Sequence, residues 1–544
     1  MMAECQTQAT VSTSAAKTFV FVFPMASGHI NPSLPLARAL ITLGHEVHYL
    51  CREQMREAIE DTGAKFHSDV DVEPELYEGR EVDLFGATES LKRELGLEGA
   101  SIMESIFKTV SISLELMLPG VVRLLCELRA SAVVYCPMMS IEAAYAAKVL
   151  GIPSVALLTT AGPGSILKAL NEFLTMCNTT EDELRDVMRS YEPHLESVRR
   201  MNKTYGLAFP SAPNLQPLGK LDVLQHSFAT LVTTSEDFQD PLAPEIADAY
   251  EREGVRFESV GPMLDEVGAK RAAGHRYQAK DRGDATTAAA DATATQTGGA
   301  QLLSQVRAAR SVGRHVVLVS MGTVITGDHP EVGWEGRRSG PDGRKRGFTG
   351  RELCRGAWAG AFDAFGRDCA EDGPLLVVAL GPQEDALGEI RPPANALCFQ
   401  VLPQVDILKV GVDVFLTHGG QNSFTEGLSV AAPLVVCPGF GDQLVNARKA
   451  EMLGVGLQVP RPDPDEGDEE AAAAQYRIDV ARAMERVISE SSFSAAASRC
   501  AERLRQAGGV PRAVDCVLAA ASSGGERDEA LAEDILTSLS FAGA

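Results

Sequence analysis

VDVFLTHGGQNSFTEG, from Val412 to Gly427, runs from a continuous apolar stretch through two glycines into a polar segment. An apolar run without alternation is the mark of a strand covered on both faces, as in a parallel sheet. A turn leaving such a strand sits at the carboxyl edge of the sheet, where open α/β domains take their ligands. The first N–H groups of the following helix lack intrahelical partners and lie at the positive end of the helix dipole, so a phosphate is the natural occupant. Gly419 and Gly420 would let a diphosphate approach the main chain. A blander reading explains two of the same residues: Ser423 and Glu426 have the spacing of a capping box, which only satisfies helix-end donors. The neighbouring sequence weighs against it. PGFGDQLVNA, Pro438 to Ala447, leaves the end of the next strand and brings Asp442, Gln443 and Asn446 to the same edge. Carboxylate and amide groups gathered there suit a polyhydroxylated ligand.

Outward from this motif the alternation of strand, turn and helix continues. Strands are expected at 314–323, 374–380 and 432–438, with a helix over 349–365 and another over 443–453. The first half repeats the pattern: TFVFVFPM (Thr18 to Met25) is a buried strand, a helix follows over 32–43, and ASAVVYCP (Ala130 to Pro137) precedes SIEAAYAAKVLG and IPSVALLTT. Strands alternating with helices on this scale give doubly wound parallel sheets. The expected organisation is a tail at 1–17, a first α/β domain at 18–264, a linker at 265–313, a second domain at 314–522 and a tail at 523–544. DATTAAADATATQTGG, Asp284 to Gly299, is the low-complexity part of that linker. The helical segments 100–128 and 165–205 are rich in Leu, Met, Phe and Ile. They are expected to pack on a sheet, with lining of a pocket for an apolar ligand as the second reading.

Composition narrows the partners. At 544 residues the chain exceeds one ordinary core. Its formal charge is −24, and no Lys/Arg-rich block stands ready to neutralise nucleic acid or an anionic membrane. The 11 cysteines are scattered, without a C-x-x-C or other metal spacing, as expected of reduced thiols in a cytoplasmic protein. The acidic run from Asp463 to Glu470 reads as a solvated loop rather than a metal site. No uninterrupted apolar stretch is long enough for a membrane span, the first seventeen residues lack a signal-peptide core, and a monomer is expected.

FQVLPQVDIL (Phe399 to Leu408) together with the stretch from Asp413 to Gly456 resembles the donor-binding signature of the UDP-dependent glycosyltransferases, the family of plant secondary-metabolite and bacterial macrolide glycosyltransferases. FPMASGHINPSLPLARAL (Phe23 to Leu40), SVGPML (Ser259 to Leu264) and LVSMGT (Leu318 to Thr323) extend the resemblance more weakly. It implies an α/β protein of GT-B architecture, with two Rossmann-like doubly wound parallel-sheet domains facing across a cleft. The implied activity is metal-independent, inverting transfer of a hexose from a UDP-sugar co-substrate to a hydroxyl of a lipophilic small molecule, with no cofactor. Carried over residue by residue, it implies that Gln404 lies by the nucleotide base and Glu426 accepts from the ribose hydroxyls. His418, Gly420, Asn422 and Ser423 would hold the diphosphate, with Ser320 and Thr323 contributing from the facing loop. Asp442 and Gln443 would bind sugar hydroxyls, and His29 would be the general base, an imidazole being suited to proton transfer near neutrality.

One position departs from the family pattern. Many relatives carry an aspartate where this chain has Cys136, and a neutral thiol cannot stabilise an imidazolium as a carboxylate does. His29 could act alone on an acidic phenol or carboxylic acid, or Glu142 could substitute. Alternatively, transfer could be lost while donor binding survives, leaving a sugar-nucleotide-binding pseudoenzyme. A GT-B sugar-nucleotide epimerase is the rival among enzymes. Neither half has a G-x-G-x-x-G after its first strand, which speaks against a nicotinamide dehydrogenase.

Overall fold

The computed structural model describes residues 15–83, 86–272, 299–329, 332–339, 345–464 and 467–524. Most of the low-complexity stretch, residues 1–14 and residues 525–544 lie outside the described residues.

In the first lobe, β1 (Thr18–Val22), β2 (Glu46–Cys51), β3 (Lys65–Ser68), β4 (Ala132–Tyr135), β5 (Ser154–Leu158), β6 (Ala229–Val232) and β7 (Phe257–Ser259) form a parallel sheet in the order 3-2-1-4-5-6-7. Side chains of a strand alternate between faces. Val20 and Val22 enter one apolar core, and Phe19 and Phe21 enter the core on the opposite face. A strand buried on both sides favours apolar residues at successive positions, which is why Phe19 to Val22 read as an uninterrupted apolar run.

The second lobe repeats the plan. Its strands are β8 (Val316–Ser320), β11 (Leu375–Ala379), β12 (Ala396–Phe399), β13 (Val414–Thr417), β14 (Leu434–Val436) and β15 (Gly456–Gln458), ordered 12-11-8-13-14-15. A small antiparallel pair, β9 (Arg338–Ser339) and β10 (Lys345–Arg346), stands apart. The order reverses between β1 and β4 in one lobe and between β8 and β13 in the other, and crevices for ligands open at such switch points. The turns carrying His29 and His418 leave β1 and β13. Each histidine thus leaves a strand that borders its lobe's switch point.

Three local expectations are corrected. The first helix is preceded by more helical structure than expected: a helical turn forms at Ser27–Ile30, a 3-10 turn containing Pro32 at Asn31–Ser33, and the main helix spans Leu34–Thr42. His29 therefore sits in a helical turn rather than in an open loop. Ser423 and Glu426 form no capping box, because the helix starts at Gln421 with Gly420 as its N-cap. The segment 265–313 is not all linker. A helix at 299–311 buries Leu302, Val306 and Ala309 in the second lobe's core, and residues 265–272 are bonded to both lobes.

The last helix, Gly509–Ser523, crosses back and places Ala513, Val514, Val517 and Ala520 in a core of the first lobe. The helix Ile102–Glu127 is long and apolar enough by itself to cross a membrane, yet half of its most apolar window is buried within the fold. Its Leu114, Leu118, Val121 and Val122 join a sheet core, while Met103 and Phe107 cluster with Leu174, Leu184 and Met188.

Candidate active site between the lobes

His29 is presented from the turn after β1, beside the ends of β4 and β5. Its Nδ1 lies 3.2 Å from the Cys136 Sγ and 3.3 Å from the Thr159 Oγ1. Both neighbours are uncharged: burial pushes the Cys136 thiol up to about 12. Burial also pushes the His29 imidazole down to about 4, so the ring is neutral at physiological pH. The residue is not closed off from the surface, as one that meets a substrate must not be. With Nδ1 turned to its neighbours, Nε2 is the nitrogen left for chemistry.

Glu142 does not replace the missing carboxylate. It makes no hydrogen bond with His29, its Oε2 has no partner among the described residues, and burial pushes its carboxyl up to about 8. Thr159, which the sequence reading did not single out, is the hydroxyl that β5 delivers instead. Its place at the end of a strand next to β4 was the available signal.

Across the cleft, two glycines build the donor side. Gly419 has φ +83° and a Cβ there would lie 2.5 Å from Val436, while Gly322 has φ +76° and a Cβ would lie 2.5 Å from the His418 ring. Only glycine lets the two turns close on each other. Asn446 donates to the Gly419 carbonyl at 2.8 Å and fixes the turn. His418 gives a ring N–H to the Ser320 carbonyl and is held neutral, its pKa pushed down to about 4 by burial.

The helix Gln421–Ser429 then rises from Gly420 with its first N–H groups towards the cleft. Asp442 accepts from the Gln421 N–H at 3.2 Å, and burial pushes its carboxyl up to about 6 against that bond. Gln443 uses its Oε1 to accept from Gly439 and Phe440, so this side chain shapes the loop it stands on. Gln404 donates to Ser423 Oγ at 3.2 Å and to Glu426 Oε2 at 2.8 Å, joining three of the expected donor residues in one chain of contacts. Ser320 is buried at the end of β8, and Thr323 is exposed on the following turn.

The lobes touch at this site. Asn422 Nδ2 donates to the Gly28 carbonyl at 2.8 Å, Lys449 pairs with Asp240 at 3.1 Å, and Phe173 lies against Gly441. Pro32, Thr233, Met263, Arg271, Asn422 and Glu426 line a narrow crevice between them.

Residues 389–498, which include His418, Glu426 and Gln443, match the family model described as UDP-glucoronosyl and UDP-glucosyl transferase. The chain is also 25% identical to the NDP-glycosyltransferase YjiC of Bacillus licheniformis over 82% of this chain and 85% of that protein. The protein is a glycosyltransferase that carries this family's domain over residues 389–498. This glycosyltransferase is 32% identical to the oleandomycin glycosyltransferase of Streptomyces antibioticus over a shorter stretch, 30% of this chain and 37% of that one. Its fold is like that of the calicheamicin glycosyltransferase CalG4, with a TM-score of 0.57 at 19% identity, covering 94% of this chain and 99% of the other. The two parallel-sheet lobes are the GT-B architecture that the family resemblance implied.

Proposed function

We propose that this glycosyltransferase moves a hexose from a UDP-sugar to a hydroxyl of a lipophilic small molecule, with inversion, and that His29 is its general base. The observation carrying this is the bond between Asn422 and Gly28, which puts the start of the donor helix one residue from a neutral histidine. In the reaction the acceptor oxygen attacks the anomeric carbon and gives its proton to His29 Nε2. The bond from that carbon to the diphosphate oxygen breaks, and UDP departs with the electron pair. Negative charge grows on the diphosphate as it leaves. The helix dipole and the N–H groups of Asn422 and Ser423, which in the first turn have no intrahelical partner, are the groups suited to bear it.

In this reading Glu426 accepts from the ribose hydroxyls, Gln404 lies toward the base, and Asp442 and Gln443 meet the sugar. Ser320, Thr323 and Gly420 complete the diphosphate contacts, and no cofactor beyond the co-substrate takes part. The apolar helices Ile102–Glu127 and Gly164–Met176 support a lipophilic acceptor, and relatives named for antibiotics agree with that class. A monomeric, cytoplasmic enzyme fits the charge and thiol composition.

The test is His29→Ala in the full chain. Transfer, followed as UDP release, should be lost while UDP affinity stays within a few-fold; loss of both would remove His29 from the role of base. Cys136 favours one second reading, a sugar-nucleotide-binding pseudoenzyme. Tight UDP binding without turnover on any of a panel of hydroxylated compounds would establish it.

A further inference from the structure

We propose that Arg271 sets the affinity for the donor by competing with it: its guanidinium holds the Glu426 carboxylate, and a nucleotide sugar binds by taking that carboxylate over. The inference rests on the reading of Glu426 as the acceptor of ribose hydroxyls.

Glu426 is buried and its two oxygens are shared between two donors. Arg271 Nη2 gives to Oε1 at 2.6 Å, and Gln404 Nε2 gives to Oε2 at 2.8 Å. The two donors differ in origin. Gln404 starts the helix Gln404–Val410 of the same lobe, whereas Arg271 reaches in from the segment that connects the lobes, 155 positions away in sequence. A vicinal diol bound here would present its O–H groups to the same two oxygens, so a guanidinium seated on Oε1 competes with it for room and for lone pairs.

Arg271 is delivered to this position rather than merely near it. Asn31 brackets the backbone of Ala272 with two hydrogen bonds, at 3.1 and 2.9 Å. The Lys270 N–H gives to Asp61 at 3.0 Å, the Gly268 N–H to Asp406 at 3.0 Å, and Arg38 holds Asp265 at 3.1 Å. These anchors do not involve the Arg271 side chain, so truncating it leaves the segment in place. Asn31 stands two residues from His29, so the segment that gives up Glu426 is bonded to the turn carrying the proposed base.

The experiment measures binding of uridine and thymidine diphosphates to the full-length protein by calorimetry, at low and high salt. Arg271→Met should bind roughly fivefold tighter than the parent, with the gap closing as salt screens the parent's ion pair. In a Glu426→Gln background the same change should have no effect. Should Arg271→Met fail to fold, Arg271→Gln gives the same readout. Unchanged or weaker binding in the arginine variants overturns the competition, weaker binding making the guanidinium a direct ligand contact instead. If Glu426→Gln alone leaves affinity unaltered, the ribose reading of Glu426 falls, and this inference with it. If Glu426→Gln weakens binding and the arginine variants do not tighten it, only the competition fails.

Discussion

Asn422 Nδ2 donates to the Gly28 carbonyl oxygen across 2.8 Å, so the second residue of the donor-side helix is tied to the main chain just before His29. The bond crosses between the lobes with donor and base residues adjacent to it in sequence. It makes the position of the imidazole depend on the position of the nucleotide side.

Removing that tie should therefore be visible in turnover. Asn422→Ala is expected to lower kcat by about two- to tenfold, the size of one ordinary hydrogen bond, with the melting temperature little changed. Steady-state kinetics with saturating donor and acceptor measure it. A kcat equal to the parent's, with only the donor KM raised, would reduce Asn422 to a diphosphate contact.

Cys136 offers a gain rather than a loss. Its Sγ is 3.2 Å from His29 Nδ1, within reach of a carboxylate built on the same backbone. Cys136→Asp would supply a charged partner for the imidazolium that forms as the proton is taken, worth about 1.5 to 3 kcal/mol for a hydrogen bond to a charged group. That corresponds to a kcat rise of about ten- to a hundredfold. The added carboxylate should also raise the His29 pKa, so the acid limb of the kcat profile should move to higher pH. If neither rate nor profile changes, Thr159 already fixes the ring as well as catalysis requires.

The pH dependence separates two groups that ordinary values would confuse. His29 and His418 are pushed down to about 4 and stay neutral throughout mildly acidic solution. Asp442 is pushed up to about 6, so its carboxylate is present above that pH and protonated below it. The kcat/KM for the donor should accordingly fall as the pH drops through about 6, driven by an aspartate rather than a histidine. Asp442→Asn should lower the plateau and abolish that limb, leaving activity level until the histidines titrate. A limb that persists near 6 in this variant would assign it to some other group.

How legible the site was differs from residue to residue. Thr417 to Gly427 carried its meaning locally, since an apolar strand, a pair of glycines and a helix start are properties of neighbouring residues. The same holds for His29, whose turn follows a strand readable from TFVFV alone. The capping box at Ser423 and Glu426 had the right spacing but the wrong register: the backbone enters the helix at Gln421, and the carboxylate turns to Arg271 and Gln404 instead. Arg271 carried no local signal, being one basic residue beside a low-complexity stretch, and Thr159 carried only that of a hydroxyl at a strand end.

The two parallel sheets and the edges at which ligands bind are written into the chain, because burial on both faces favours unbroken apolar strands and because glycine turns are set by local backbone geometry. Cys136 beside His29 was expected from the family resemblance, but the packing of the lobes set Thr159 there too, put Arg271 on Glu426 and sent the final helix back to the first lobe. Those are contacts between residues far apart in the chain, set by how the lobes pack, and no pattern of neighbours encodes them.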